Sequence, residues 1–114
     1  MITVIGLGNE TGDLTKKGEA KILEAAKNGD EILVRTAHTR AYAQVLDLGV
    51  PHQTLDHVYQ KSRTFESLAK NLAKAVISAG ENAVYLVDGA ASEDTSVKAL
   101  LKSLRGKAEV INGV

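Results

Sequence analysis

Apolar residues fall into two kinds of segment that alternate along the chain. One kind is short and nearly unbroken: MITVIG at the start, then EILVRT, AVYLVDG and AEVING. A half-exposed strand alternates apolar with polar positions, whereas a strand covered on both faces is apolar throughout, as in a parallel sheet. These four runs predict buried strands, and a weaker fifth lies in HQTLD, over Gln53 to Asp56. The other kind is longer and spaces its apolar residues at helical intervals. Thr15 to Lys27 carries Ile22, Leu23 and Ala26 on one face and stops at Asn28-Gly29. Thr39 to Leu48 carries Tyr42, Val45 and Leu46; Gly49 supplies a left-handed stop and Pro51 bars continuation. Thr64 to Ala79 sets Phe65, Leu68, Leu72 and Val76 in a stripe and ends at Gly80. The last helix starts from Ser92 as N-cap, with Glu93 and Asp94 placed to suit the helix dipole. Its buried stripe is Val97, Leu100, Leu101 and Leu104, and Gly106 ends it.

Strand and helix in strict alternation imply right-handed crossovers. The fold class is α/β: an open, mainly parallel five-stranded sheet with helices on both faces, Rossmann-like in plan. Ligands of such folds sit beyond the carboxyl ends of the strands. Four loops occupy that edge: Gly6 to Leu14, Thr36 to Thr39, Asp56 to Ser62 and Asp88 to Ser92. Candidate chemistry belongs there, with the first and last of these loops side by side.

Composition narrows the classes. With 114 residues the chain is one domain, and its 14 basic and 14 acidic residues balance, with no basic cluster beyond Lys16-Lys17. Nothing here favours a nucleic-acid surface or a polybasic membrane anchor. The absence of cysteine excludes disulfides, thiolate catalysis and cysteine metal sites, and makes a reducing cytoplasm the default compartment. No signal peptide precedes the first apolar run and no stretch reaches membrane-spanning length, so a soluble cytoplasmic domain is expected.

The glycines of TVIGLGNETGDLT, at Gly6, Gly8 and Gly12, are one residue too widely spaced for the dinucleotide fingerprint. The second strand ends in Arg35-Thr36 where that fingerprint wants an acidic residue, while Asp30 and Glu31 lie at its beginning. Arg35 on a 2′-phosphate keeps an NADP-binding module open. A phosphate-binding P-loop fails because no Gly-Lys-Ser/Thr follows. The glycines equally suit a tight strand-to-helix turn and nothing more. In the second glycine loop, VDGAASEDT, Asp88 is either a ligand acceptor or a turn former with Gly89. His38, His52 and His57 lack metal-ligand spacing, and no metal is assigned. Asp56, His57, Tyr59 and Lys61 make a polar cluster on the ligand edge that a surface loop also explains. The residues alone reach an α/β ligand-binding domain.

Taken in order, the segments resemble the tetrapyrrole (corrin/porphyrin) methylase family. TVIGLGNETGDLT is similar to that family's opening strand, G-x-G-P-G-D turn and Leu-Thr, with Gly6, Gly8, Gly12, Asp13, Leu14 and Thr15 in those roles. EILVRTAHT and LDHVYQKSRTFESL resemble the subgroup fused to MazG-type nucleoside triphosphate pyrophosphohydrolases, with Asp56, Tyr59, Phe65 and Glu66 matching its F-D-x-x-Y-E-x-x-x-x-F-E segment. VYLVDGAASEDTSVKALL is similar to the strand, G-x-P turn and helix that follow, and VINGV to the linker toward a second domain.

The resemblance implies the amino-terminal half of an S-adenosylmethionine-dependent methyltransferase, whose donor binds between two α/β domains. It further implies that Val87, Asp88, Gly89, Ala90 and Ala91 line the donor, while Gly8, Asn9, Gly12 and Asp13 face a tetrapyrrole-like substrate. No catalytic residue is assigned. Two departures fall at this site: Gly89-Ala90-Ala91 lacks the polar side chain and proline of G-D-P, and Asn9-Glu10-Thr11 replaces the opening proline. They keep open a non-catalytic ligand-sensing domain. The isolated half is expected to be inactive without its second wall, and to expose an apolar face through which a homodimer could form.

Overall fold

The computed structural model describes residues 1–112. Gly113 and Val114, and with them the end of the linker-like VINGV, lie outside the described residues. The apolar runs form the strands β1 (Ile2–Gly6), β2 (Ile32–Val34), β4 (Val84–Val87) and β5 (Ala108–Ile111), and Gln53–Thr54 forms the short β3. Between them lie α1 (Lys16–Asn28), α2 (Tyr42–Leu48), α3 (Asp56–Lys61), α4 (Phe65–Ser78) and α5 (Thr95–Ser103), the last preceded by a 3₁₀ turn over Ala91–Glu93. The strands join in the order β3-β2-β4-β1-β5, and every pairing between them is parallel. The protein is thus an α/β domain with an all-parallel, Rossmann-like sheet.

Alternate residues of each central strand feed two separate cores. Ile2 and Val4 of β1, Leu33 of β2, and Tyr85 and Val87 of β4 pack with Val58, Leu72, Val76, Val97 and Leu100 from α3, α4 and α5. Ile5 of β1, Ile32 and Val34 of β2, and Val84 and Leu86 of β4 pack with Ile22, Ala25 and Val45 from α1 and α2. Burial on both faces is why these strands are apolar without alternation.

Strand order also fixes where loops part. From β1 the chain moves toward β2 and β3 by way of α1 and α2, on one face. From β4 it moves the other way to β5 by way of α5, on the opposite face. Since β1 and β4 are neighbours, the connections diverge between their carboxyl ends, which is the switch point where such sheets bind ligands.

Several sequence expectations need correction. Asp56 to Ser62 is not a loop: Asp56–Lys61 is helical, with only Val58 fully buried. The third strand stops at Thr54, before Asp56. The second helix begins at Tyr42, not Thr39. Leu23 and Leu46 are exposed, and their places in the core go to Ala25 and the amide of Gln44. Phe65 is 88% exposed because it is the first residue of α4, a turn before the helix meets the sheet. Asp94, not Ser92, caps α5: its carboxylate accepts from the Ser96 and Val97 amides. Leu101 and Leu104 are only half-buried.

Candidate functional site

Two glycine loops meet at the switch point. The β1–β4 ladder continues past the strands, with Leu7 N–H donating to Val87 O at 2.8 Å. Gly8 and Gly89 then pair in an antiparallel bridge: Gly89 N–H donates to Gly8 O at 2.7 Å and Gly8 N–H to Gly89 O at 3.3 Å. Gly6 to Leu14 and Asp88 to Ser92 are therefore side by side, and a ligand here would lie over the bridge.

The first loop is held from within. The Asp13 carboxylate accepts the Asn9 and Glu10 amides through one oxygen, each at 3.0 Å. Beneath it, the buried Gln44 side chain donates to Leu7 O at 2.8 Å and to Ala41 O at 3.2 Å, and accepts from Leu14 N–H at 2.7 Å. Thr15 caps α1 by accepting from Gly18 N–H. A Cβ on Gly18 would come within 3.0 Å of both Ile5 and Leu14, so this glycine lets α1 dock closely on β1. Sequence reading missed Gln44 and Gly18. A glutamine inside an otherwise apolar helix face was the available signal for the first; nothing local signals the second.

Of the substrate-facing candidates, Gly8 is buried, Asp13 is half-buried, and Asn9 and Gly12 are exposed. Of the donor-lining candidates, Val87 and Ala91 are fully buried, backbone included, and present no surface at this edge. Asp88, Gly89 and Ala90 are half-buried and reach it.

Arg35, just beyond β2, ties this edge together. It forms an ion pair with Asp88, lies 3.2 Å from Asp94 Oδ2 through Nε, and donates from Nη1 to Tyr59 Oη at 2.7 Å. The Nε contact lies off the hydrogen-bonding direction, which leaves that buried N–H without an acceptor despite its charge partner. Ser96 donates its hydroxyl proton to Asp94, so the 2.8 Å contact between Tyr85 Oη and Ser96 Oγ must run from the tyrosine. Burial pushes the Tyr85 phenol well above its ordinary pKa, and the nearby Asp94 charge adds to it. Arg35 is thus set against two carboxylates.

A second cluster joins β2 to α3. Asp56 accepts from Thr36 Oγ1 and from the Ala37 amide at 3.0 Å, with His38 Nε2 at 3.7 Å. Burial pushes this carboxyl up, but the Thr36 and Ala37 hydrogen bonds and the nearby His38 and His57 outweigh it and hold the group below its ordinary value. Of the polar cluster expected here, Asp56 thus braces the β2–α3 junction and Tyr59 serves Arg35; His57 and Lys61 are exposed. His52 sits elsewhere, bonded to Tyr42 Oη at 2.7 Å. Among the described residues no helix is long and apolar enough to cross a membrane.

The fold and this edge define the class: a parallel α/β domain with a glycine-lined edge at its switch point. The sequence matches no protein-family model and no curated protein.

Proposed function

We propose that this chain is the amino-terminal domain of an S-adenosylmethionine-dependent methyltransferase of tetrapyrrole methylase type. One observation carries the reading: the two segments that the resemblance assigns to one site, about 80 residues apart in sequence, are hydrogen-bonded neighbours at the switch point through Gly8 and Gly89. The donor lies over this bridge against Asp88, Gly89 and Ala90, and a tetrapyrrole-like acceptor approaches from Asn9, Gly12 and Asp13. A second α/β domain supplies the opposite wall. Methyl transfer from a sulfonium needs an in-line approach in a closed, dry cleft more than it needs an acid or base. A backbone-lined edge suits that task.

The domain alone holds the donor weakly and transfers nothing. Titrating S-adenosylmethionine into the 114-residue chain should shift the amide resonances of Gly8, Asn9, Gly89 and Ala90, without turnover of a tetrapyrrole acceptor. Unmoved resonances at millimolar donor would sink the assignment.

A ligand-sensing role in a fusion with a MazG-type nucleotide pyrophosphohydrolase is the second reading, and one observation favours it. The one acidic side chain of the donor loop, Asp88, is already paired with Arg35, and Ala90-Ala91 adds no polar group. Donor binding without methyl transfer in a two-domain protein would select this reading; transfer would exclude it.

A further inference from the structure

Arg35 also borders a second space, in which Asp88 takes no part. A cavity of about 250 Å³ opens between α3, α4 and the start of α5, with Tyr59, Phe65, Leu68, Leu72, Asp94 and Thr95 around the guanidinium. Its two walls differ in kind. The α4 wall is apolar, built from Leu68 and Leu72, with the exposed ring of Phe65 at the rim. The other wall presents hydrogen-bonding groups without partners. Tyr59 Oη already accepts from Arg35, and its own proton has no acceptor among the described residues. Thr95 opens α5, so its N–H has no partner within the helix, and among the described residues neither that N–H nor its hydroxyl has another.

Asp94 Oδ1 takes the Ser96 and Val97 amides and the Ser96 hydroxyl, while Oδ2 faces Arg35 and accepts no hydrogen bond from the described residues. One guanidinium set against Asp88 and Asp94 also leaves the cluster with one negative charge in excess, which disfavours an anionic guest. The volume lies below the roughly 300–1,000 Å³ of sites for drug-sized ligands, so a single ring system fits but not a nucleotide.

We propose that this cavity binds a neutral, planar nitrogen heterocycle of nucleobase size. Its face lies on Leu68 and Leu72 beside the Phe65 ring, and its acceptor edge meets the Tyr59 hydroxyl and the Thr95 amide. Ring contact supplies the affinity, and the donor edge selects ring nitrogens or carbonyls over a plain aromatic.

The test is a titration of the 114-residue chain, followed by amide resonances, with adenine, adenosine monophosphate and indole as probes. Adenine should give saturable shifts at Phe65, Thr95 and Ser96. The monophosphate and indole should each bind about tenfold more weakly or not at all. Tyr59→Phe should weaken adenine by about tenfold with unchanged circular dichroism. Leu68→Trp, which fills the space, should abolish binding. Absent saturation with adenine, equal affinity for the monophosphate, or shifts centred on Gly8 and Gly89 would each overturn the proposal. The wild-type probe series decides the matter even if a variant fails to fold, and it is independent of methyl-donor binding at the glycine bridge.

Discussion

Gly8 and Gly12 lie in the same loop, yet each position demands glycine for a different reason. Both have positive φ, at 72° and 93°. A Cβ on Gly8 would also stand 2.3 Å from Asp13 Cβ, whereas one on Gly12 meets nothing within 4 Å. Gly12→Ala should therefore cost only backbone strain, about 1 kcal/mol. Gly8→Ala must in addition push Asp13 off the two amides it holds, and should cost about 3 kcal/mol or more. Urea unfolding of the two variants checks the order, and equal losses would show that Asp13 yields freely. Asp56 offers a test by pH. Its folded pKa lies below the ordinary 3.8, so its stabilisation is complete above that value and is lost as pH falls through the folded one. Stability followed between neutral and strongly acid pH should therefore drop less steeply in Asp56→Asn than in the parent, although the variant is weaker at neutral pH.

Among the elements, those with long or unbroken apolar patterns were legible and those fixed by distant partners were not. Three strands could be read because burial on two faces leaves little room for polar residues, whereas β5, expected to be buried like them, lies at the sheet edge and is half-buried up to Val110; Gly29 and Gly49 end their helices with φ of 77° and 65°. The short α3 escaped notice because six residues cannot show a helical period against the polar Asp56, His57, Gln60 and Lys61. Ser92 and Asp94 are both good caps by type. The choice falls to Asp94 because Ala91–Glu93 first makes a 3₁₀ turn, and because Arg35 and Ser96 hold that carboxylate. At the site, the adjacency of the two glycine loops was readable from strand alternation. The Arg35 ion pairs, which span more than 50 residues, were not. The same limit hid Gln44, whose amide links α2 to both ends of the first loop. Gln44→Met keeps the volume but strands Leu14 N–H and Leu7 O; a loss of about 2–4 kcal/mol is expected, with faster hydrogen exchange at Leu14. A change within 0.5 kcal/mol would mean that water replaces the amide.

Over the whole molecule, Arg35 ties together the elements on one side of the sheet. It leaves the end of β2, reaches Asp88 after β4 and Asp94 at the start of α5, and steadies Tyr59 on α3. The ends of β2 and β4, the helix α3 and the start of α5 are thus drawn together by one cation. Among the described residues, Leu46 and Ile77 lie toward helix ends at the opposite edge, and Phe65 alone of the exposed large side chains lies near these loops. The edge is held by charge, and that predicts a loss confined to one side of the sheet. Arg35→Met keeps the stem but leaves Asp88 and Asp94 partly buried without their shared partner, at side-chain exposures of 29% and 12%. Two partly buried carboxylates without their cation then oppose folding. The variant should be destabilised by about 3–5 kcal/mol at neutral pH, the usual cost of stranding a charge. Hydrogen exchange at neutral pH should quicken from Gly89 through Ser96 while the Ile22 and Ala25 amides of α1 stay protected. A loss below about 1 kcal/mol, or exchange that quickens equally in α1, would show that Arg35 does not hold this edge by neutralising the two aspartates.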